Sequence, residues 1–382
     1  MISTQTLQPI DRWLDLVQHE IGHDQLEQLR DIYREYTPTQ GELIFTGECE
    51  FACQHCIYHP GYAKFNSGLS VGEWKALLKD LNQGLGIETF VYGGRSVTRD
   101  GFEVLKGLRA MLPHARIGMI DNGISLKPYR DQLVSLNLDW IDISLDGMES
   151  EHDLQRGRKG SFAEAIESLR WLADHEIAPK INILTCLTTI NQASILSLIQ
   201  FLNREGFKNV FITPMSILEG YRPAKSFQVL GGAFATFIGK LEEVLGTLED
   251  AWLELNMFGL EYPQAIGEHA PKLWQSFKKE IDHLTVKRSS GDNELSLNYF
   301  PESLTGTREF IVNSNGDVIV PKVMGKGKIP ENEILGNLGK RRARAIVDHL
   351  ANSPQFEFYA KELLREAQMM KEISWQPPIP VL

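Results

Sequence analysis

From about residue 41 to residue 225 the chain alternates apolar runs with amphipathic segments, and this beat restricts its fold more than any other feature. The apolar runs fall at Leu43–Phe45, Thr89–Tyr92, Ile117–Ile120, Ile141–Leu145, Ile181–Leu187 and Val210–Thr213. Segments with helical spacing lie between them, among them Val71–Asn82, Gly101–Leu112, Ser161–His175 and Ser194–Glu205. Ser70-Val71-Gly72-Glu73 reads as a capping box that opens the first of these helices. Strands that alternate with helices predict βαβ units, hence an α/β fold with a parallel sheet or barrel.

The flanks follow other patterns. Residues 1–40 predict helix, because Leu14, Val17, Ile21, Leu26, Leu29 and Ile32 recur at roughly helical spacing. Residues 226–290 are also mostly helical by pattern, with Ala233–Leu248 the clearest stretch. Arg308–Asn313 and Val318–Pro321 predict two short strands joined at Ser314-Asn315-Gly316, and Glu357–Lys371 predicts a closing helix. The expected organisation is an N-terminal helical segment (1–40), a barrel (41–225), a helical connection (226–300) and a small α+β module (301–382).

Composition narrows the function classes. The 382 residues, 42% of them hydrophobic, suffice for a sizeable core. Acidic residues outnumber basic ones by 50 to 39, for a net charge of -11, which argues against a nucleic-acid partner. No stretch approaches the ~18 consecutive apolar residues of a membrane span, and no basic segment precedes an apolar one at the start. The expectation is a cytoplasmic chain with no membrane partner.

Four cysteines occur, and Cys49, Cys53 and Cys56 fall within eight residues as C-x3-C-x2-C. A disulfide framework would spread them along the chain. Closely spaced thiolates on one loop suit an iron–sulfur cluster. Three of them leave one iron of a four-iron cube open to a small molecule. A structural zinc site, completed by His55 or His59, is the alternative.

The cysteine loop, and the motifs that follow it, resemble the radical S-adenosylmethionine (SAM) superfamily. That resemblance implies a partial (β/α)6 barrel, one [4Fe–4S] cluster on Cys49, Cys53 and Cys56, and SAM on the open iron. It implies reductive cleavage of SAM to a 5′-deoxyadenosyl radical that takes a hydrogen atom from substrate, with a flavodoxin or ferredoxin as electron donor. His55, just before the third cysteine, stands where the family often has a residue near the adenine. Tyr92-Gly93-Gly94-Arg95 resembles the family's GGE motif, with Arg95 in place of the acid, so Gly93 and Gly94 keep only a backbone role toward SAM. Asp121-Asn122-Gly123 resembles the family's TNG step, which makes Asn122 a cofactor contact; a plain turn is the other reading.

Ser144-Leu145-Asp146-Gly147, His152-Asp153, Arg156-Gly157 and Gly160-Ser161-Phe162 are similar, in order, to the SLDG…HD…RG…GSF pattern of family members that modify peptides and proteins. By this resemblance Ser144 and Asp146 meet the ribose, and Arg156 pairs with the SAM carboxylate, for which a guanidinium fork is suited. Asn182, Leu184, Cys186 and Thr188 share a strand face. If that face lines the barrel, Asn182 reaches SAM and Cys186 faces the substrate. Some family members use such a cysteine as hydrogen-atom donor in redox-neutral epimerisation; a small buried core residue is the alternative for Cys186.

Residues 310–321 and Ile334-Leu335-Gly336-Asn337-Leu338 resemble the start of a SPASM or twitch module. Such modules carry auxiliary clusters on cysteines, but no cysteine follows Cys186, and Pro321 or Lys322 stands at the family's ligand position. The missing thiolates disfavour chemistry that needs a second cluster and favour redox-neutral chemistry (epimerisation, rearrangement or elimination) or an external electron acceptor. The expected substrate is a small molecule or a peptide, with the missing auxiliary cysteines favouring the small molecule. A ribosomal-peptide maturase working with a partner protein is one alternative, because residues 1–40 are too short for a leader-recognition domain; a non-catalytic zinc protein is another.

Overall fold

The computed structural model describes residues 8–35, 38–58, 68–93, 96–216, 225–319, 329, 331–353 and 356–372. His59, Gly94, Arg95, Val320, Pro321 and Lys322, all part of the sequence reading, lie outside them. Two helices come first, α1 (Pro9–Gln18) and α2 (His23–Glu35). The βα beat then appears as read: β1 (Gln40–Leu43), α3 (Val71–Leu85), β2 (Thr89–Tyr92), α4 (Arg99–Met111), β3 (Arg116–Asp121), α5 (Arg130–Val134), β4 (Trp140–Ser144), α6 (Glu149–Arg156), α7 (Ser161–Asp174), β5 (Ile181–Leu187), α8 (Ser194–Arg204) and β6 (Asn209–Pro214). β1 ends where the apolar run was expected to begin. Ser70 and Glu73 form the capping box: Ser70 Oγ accepts from Glu73 N at 3.3 Å, and Glu73 accepts from Ser70 N at 2.8 Å.

The expected helical connection over 226–300 is corrected. Only its first part is helical, as α9 (Gly231–Leu245) and, after β7 (Trp252–Met257), α10 (Glu261–His269) and α11 (Pro271–Trp274). The remainder is strand: β8 (Lys278–Lys279), β9 (Leu284–Ser290) and β10 (Asn293–Tyr299). Trp-Leu-Glu-Leu-Asn-Met of β7 alternates in burial, the two-residue period of a strand rather than a helix. β9 and β10 form an antiparallel hairpin whose turn is Gly291-Asp292, and Gly291 takes φ 60°, which a side chain there would strain. The chain ends with β11 (Glu309–Val312), β12 (Asp317–Ile319), β13 (Gly336–Asn337), α12 (Ala343–Leu350) and α13 (Phe356–Glu372).

The thirteen strands among the described residues form one sheet in the order β13-β12-β11-β1-β2-β3-β4-β5-β6-β7-β10-β9-β8. Its middle, from β11 through β1–β7 to β10, is parallel throughout. The two flanks of this parallel array are successive in the chain, joined by residues 300–308. Within that join Arg308 lies over the Phe300 ring at 4.1 Å. The sheet therefore wraps, as a partial barrel does, and its two flanks face a common cavity.

The N-terminal helices pack on the far end of the chain. Trp13 Nε1 donates to Glu366 Oε2 of α13 at 2.9 Å, and Glu366 Oε1 accepts from Glu302 N at 2.7 Å. Buried Glu366 thus ties α1 to the join between β10 and β11. On β3, Gly118 leaves room for Trp140 of β4, since a Cβ there would lie 1.9 Å from Trp140 Cε2. Gly118→Ala forces that ring to shift, and a loss on the order of 1–3 kcal/mol is expected in urea unfolding; an unchanged midpoint would remove this reading of the glycine.

Candidate active site

A cavity of about 460 Å³ opens at the C-terminal ends of the parallel strands, where barrel folds place ligands. Cys49, Cys53 and Cys56 line one part of its wall, and Ser144, Asp146, Arg156 and Cys186 another. Glu42 of β1 and Glu309 of β11 line it from the flank, and Phe258 and Phe300 add apolar surface beyond β7 and β10.

Asp146 is the hub. It is 0% exposed, and both its oxygens are bonded: Oδ2 accepts from Arg156 Nε at 2.5 Å and Oδ1 from Cys186 N at 2.9 Å. Its own N–H donates to His152 Nδ1 at 3.1 Å. Burial alone would raise this carboxyl, but the Arg156 charge, with smaller contributions from His55 and His152, holds it down at about 2. Asp146 conversely holds the Arg156 guanidinium charged despite its burial. Asp146 lines the cavity with each oxygen already bonded once, so that it aims Arg156 and fixes the end of β5.

Arg156 in turn meets the cysteine loop, with Nη1 4.0 Å from Cys53 Sγ. That loop docks on the C-terminus of α6. Gln54 N donates to Gln155 O at 2.8 Å, and Gln54 Nε2 donates to Leu154 O at 3.0 Å. Gly157 ends α6 at φ 65°, and a Cβ on it would lie 2.8 Å from Ala52 O. The Arg156-Gly157 pair therefore has a physical meaning: the arginine supplies charge, and the glycine lets the loop approach. Asp153 fixes the next helix by accepting from Gly160 N, Ser161 Oγ and Phe162 N at 2.5, 2.9 and 2.9 Å.

The remaining expected residues divide. Ser144 lines the cavity. His55 lines it too, with Nε2 3.6 Å from Asp146 Oδ2, and burial lowers its pKa to about 4, so the imidazole is neutral at pH 7. Asn122 lines it while its Oδ1 accepts from Ile124 N at 2.8 Å and Ser125 N at 3.0 Å, so the turn reading holds alongside the cavity placement. Cys186 faces the cavity from β5, and burial pushes its thiol well above the usual value. Asn182 does not join them. It sits near the start of β5, and its Nδ2 donates to Asp142 Oδ1 at 2.7 Å, four residues of strand from Cys186. Gly93 is likewise not on the cavity wall; a Cβ on it would lie 2.3 Å from Glu42 Oε1, so its smallness makes room for Glu42.

Glu42 and Glu309 are the functional candidates that pattern reading missed. Parallel pairing puts Gln40 beside Glu309 and Glu42 beside Ile311, all on one face. Burial, reinforced by the Glu309 charge, raises Glu42 to about 8. The available signal was a carboxylate directly before each of two short apolar runs, Leu43–Phe45 and Phe310–Val312.

Residues 43–202 match the family model described as the Radical SAM superfamily. Over that segment, which includes the cysteine loop, the chain is similar to the radical SAM superfamily. Among its relatives is the sporulation killing factor maturation protein SkfB of Bacillus subtilis, 27% identical over 37% of this chain and 34% of that protein. Another is the probable GTP 3′,8-cyclase of Methanopyrus kandleri, 28% identical over 48% of this chain and 59% of that protein. The chain thus spans roughly a third to three fifths of these relatives' length. A similar solved structure is Streptococcus suis SuiB bound to its precursor peptide SuiA, with TM-score 0.61 at 14% identity, covering 87% of this chain and 68% of that one. At that identity the likeness is one of fold.

Radical SAM proteins bind a [4Fe–4S] cluster and SAM, and the residues here fit both. None of the four cysteines is in a disulfide. Among the described residues no three His, Cys, Asp or Glu side chains converge as they would around one metal ion. Cluster thiolates each bind a different iron, and His59, one of the two candidate fourth ligands of a zinc site, lies outside the described residues. Burial pushes the Cys53 thiol up to about 12, with Arg156 opposing, and iron ligation is what would draw that proton off.

Two outcomes follow from the charges. Arg156→Ala strands the buried Asp146 carboxylate and is expected to cost about 3–5 kcal/mol in urea unfolding at pH 7. Asp146's contribution is complete above its unfolded pKa near 4 and lost as pH falls toward 2, so the deficit should shrink over that window. Glu42 behaves oppositely, because its folded pKa is raised. Glu42→Gln should leave stability unchanged at pH 4 and raise it increasingly from about pH 4.5 to 8, by on the order of a few kcal/mol, read as a pH series of thermal midpoints.

Proposed function

We propose that this chain is an enzyme that binds one [4Fe–4S] cluster and SAM and abstracts a hydrogen atom from a residue of a peptide substrate. One observation carries the reading: the three cysteines, the Asp146–Arg156 pair and Cys186 line a single cavity at the mouth of a partial barrel. When bound, the cofactors supply reductive cleavage of SAM to a 5′-deoxyadenosyl radical. The chain's own residues do the rest.

Cys49, Cys53 and Cys56 would hold three irons of the cluster and leave the fourth open to SAM. Arg156 keeps its Nε on Asp146 and lines the cavity, where its guanidinium would pair with the SAM carboxylate. Ser144 and Asn122 offer hydrogen bonds for the ribose, and neutral His55 offers a ring face beside the cluster loop. Phe51, Ile57, Ile120 and Leu184 give the walls an apolar lining that keeps water from a radical. Cys186 presents a protonated thiol, the form that donates a hydrogen atom, and fits a redox-neutral outcome.

The maturation protein SkfB and the precursor-peptide complex of SuiB support a peptide substrate over the small molecule expected from the missing auxiliary cysteines. The GTP 3′,8-cyclase relative favours the small-molecule reading. A flavodoxin or ferredoxin is the electron donor in this proposal. Among the described residues no helix is long and apolar enough to cross a membrane.

Anaerobic reconstitution tests the proposal. About four irons and four sulfides per chain are expected, with 5′-deoxyadenosine formed from SAM and dithionite. Cys53→Ala should abolish both, whereas Cys186→Ala should retain iron and SAM cleavage. Zinc in place of iron, or iron without SAM cleavage, would overturn the reading.

A further inference from the structure

We infer that Glu42 and Glu309 form a subsite for a positively charged group of the substrate, an ammonium or guanidinium, held on the flank of the cavity opposite β5. The inference rests on reading this cavity as the reaction chamber, and it names the substrate chemistry that chamber selects.

Two carboxylates on neighbouring strands of a buried sheet repel each other and lose hydration, so the fold retains them at a cost. Here the cost is visible in the neighbours. Gly93 lacks the Cβ that would collide with the Glu42 carboxylate. Gln40 Nε2 donates to Glu309 Oε2 at 3.1 Å and holds that side chain on the shared face. No hydrogen bond or ion pair reaches Glu42 among the described residues, although it lines the cavity and burial with Glu309 nearby lifts it to about 8.

The surrounding charges are already committed. Arg308 adjoins Glu309 but directs Nε to Asp282 Oδ2 at 2.7 Å and stacks on Phe300. Glu302, a third carboxylate on the wall, pairs with Arg365. Arg156 is held by Asp146 on the wall formed by α6. Burial raises Glu309 and the Arg308 charge lowers it, yet among the described residues no ion pair to either carboxylate is present, and the pair faces open volume. A ligand cation between the two carboxylates relieves their repulsion and gains charge-assisted hydrogen bonds, while the neighbouring Phe258 and Phe300 rings, 5.3 Å apart, offer a face to its carbon chain.

A basic side chain of a peptide and an amino sugar share this chemistry, so both are tested on cluster-loaded protein by calorimetry. N-acetyl-lysine amide is compared with N-acetyl-norleucine amide, and glucosamine with glucose. Preference for the cationic member of at least one pair by about tenfold or more is expected, as charged hydrogen bonds provide. The pair that shows it identifies the source. Near pH 7 binding should also release a proton, read by repeating the titration in buffers of different ionisation enthalpy, because Glu42 holds one there. In Glu42→Gln/Glu309→Gln the preference should fall to about twofold or less, with iron content and SAM affinity unchanged.

Equal binding within both pairs by the wild-type protein overturns the inference whether or not the variant folds. So does a variant that keeps the preference, or one that loses SAM affinity while the wild type shows no preference, which would assign the carboxylates to the cofactor's own amino group. These readouts are binding measurements, so their failure is distinct from failure to cleave SAM, which would instead overturn the proposed function.

Discussion

The buried contact between Asp146 and Arg156 organises this molecule's chemistry. Asp146 stands just beyond β4 and Arg156 at the end of α6, and the contact between them closes that βα unit around a charge. An isolated carboxylate with no exposure could not stay ionised. With the guanidinium on one oxygen and the Cys186 amide on the other, it does. From this pair the constraint passes outward: Arg156 reaches Cys53, α6 carries the cysteine loop through Gln155 and Gly157, and the Asp146 oxygen sets the backbone from which Cys186 faces the cavity.

The cavity's second centre of charge has the opposite character. Asp146 is compensated, and its carboxyl is held low; Glu42 is uncompensated and held high. The contrast comes from what each strand faces. Asp146 looks toward a helix end that supplies a cation. Glu42 looks across a parallel neighbour that supplies another acid. One site is satisfied by Arg156; the other is where the cation subsite is proposed.

The strand pattern beyond residue 226 makes the flank possible. β7 and β10 extend the parallel array, and the short join from β10 returns the chain to β11 beside β1. Had residues 226–300 been the helical connection their first half suggests, Phe258 and Phe300 would not share a cavity with the cysteines. The C-terminal strands keep the sheet pairing seen at β11 to β13 without the cysteines that would load that module with further clusters.

The sequence alone determined the parts that depend on local periodicity and covalent spacing. The βα alternation from β1 to β6, the capping box at Ser70, and the cysteines with Asp146, Arg156 and Gly157 were legible because each is written within a few residues. Tertiary structure decided what depends on partners far apart in the chain. Asn182 turned to Asp142 rather than the cavity, because a strand's inner face has two ends and periodicity does not say which one a residue occupies. Gly93 proved to serve Glu42, and Glu42 found Glu309 some 267 positions away, through the pairing of β1 with β11. Strand register is set by the whole sheet, so the meeting of two acids from its two halves could be decided only once the chain had folded.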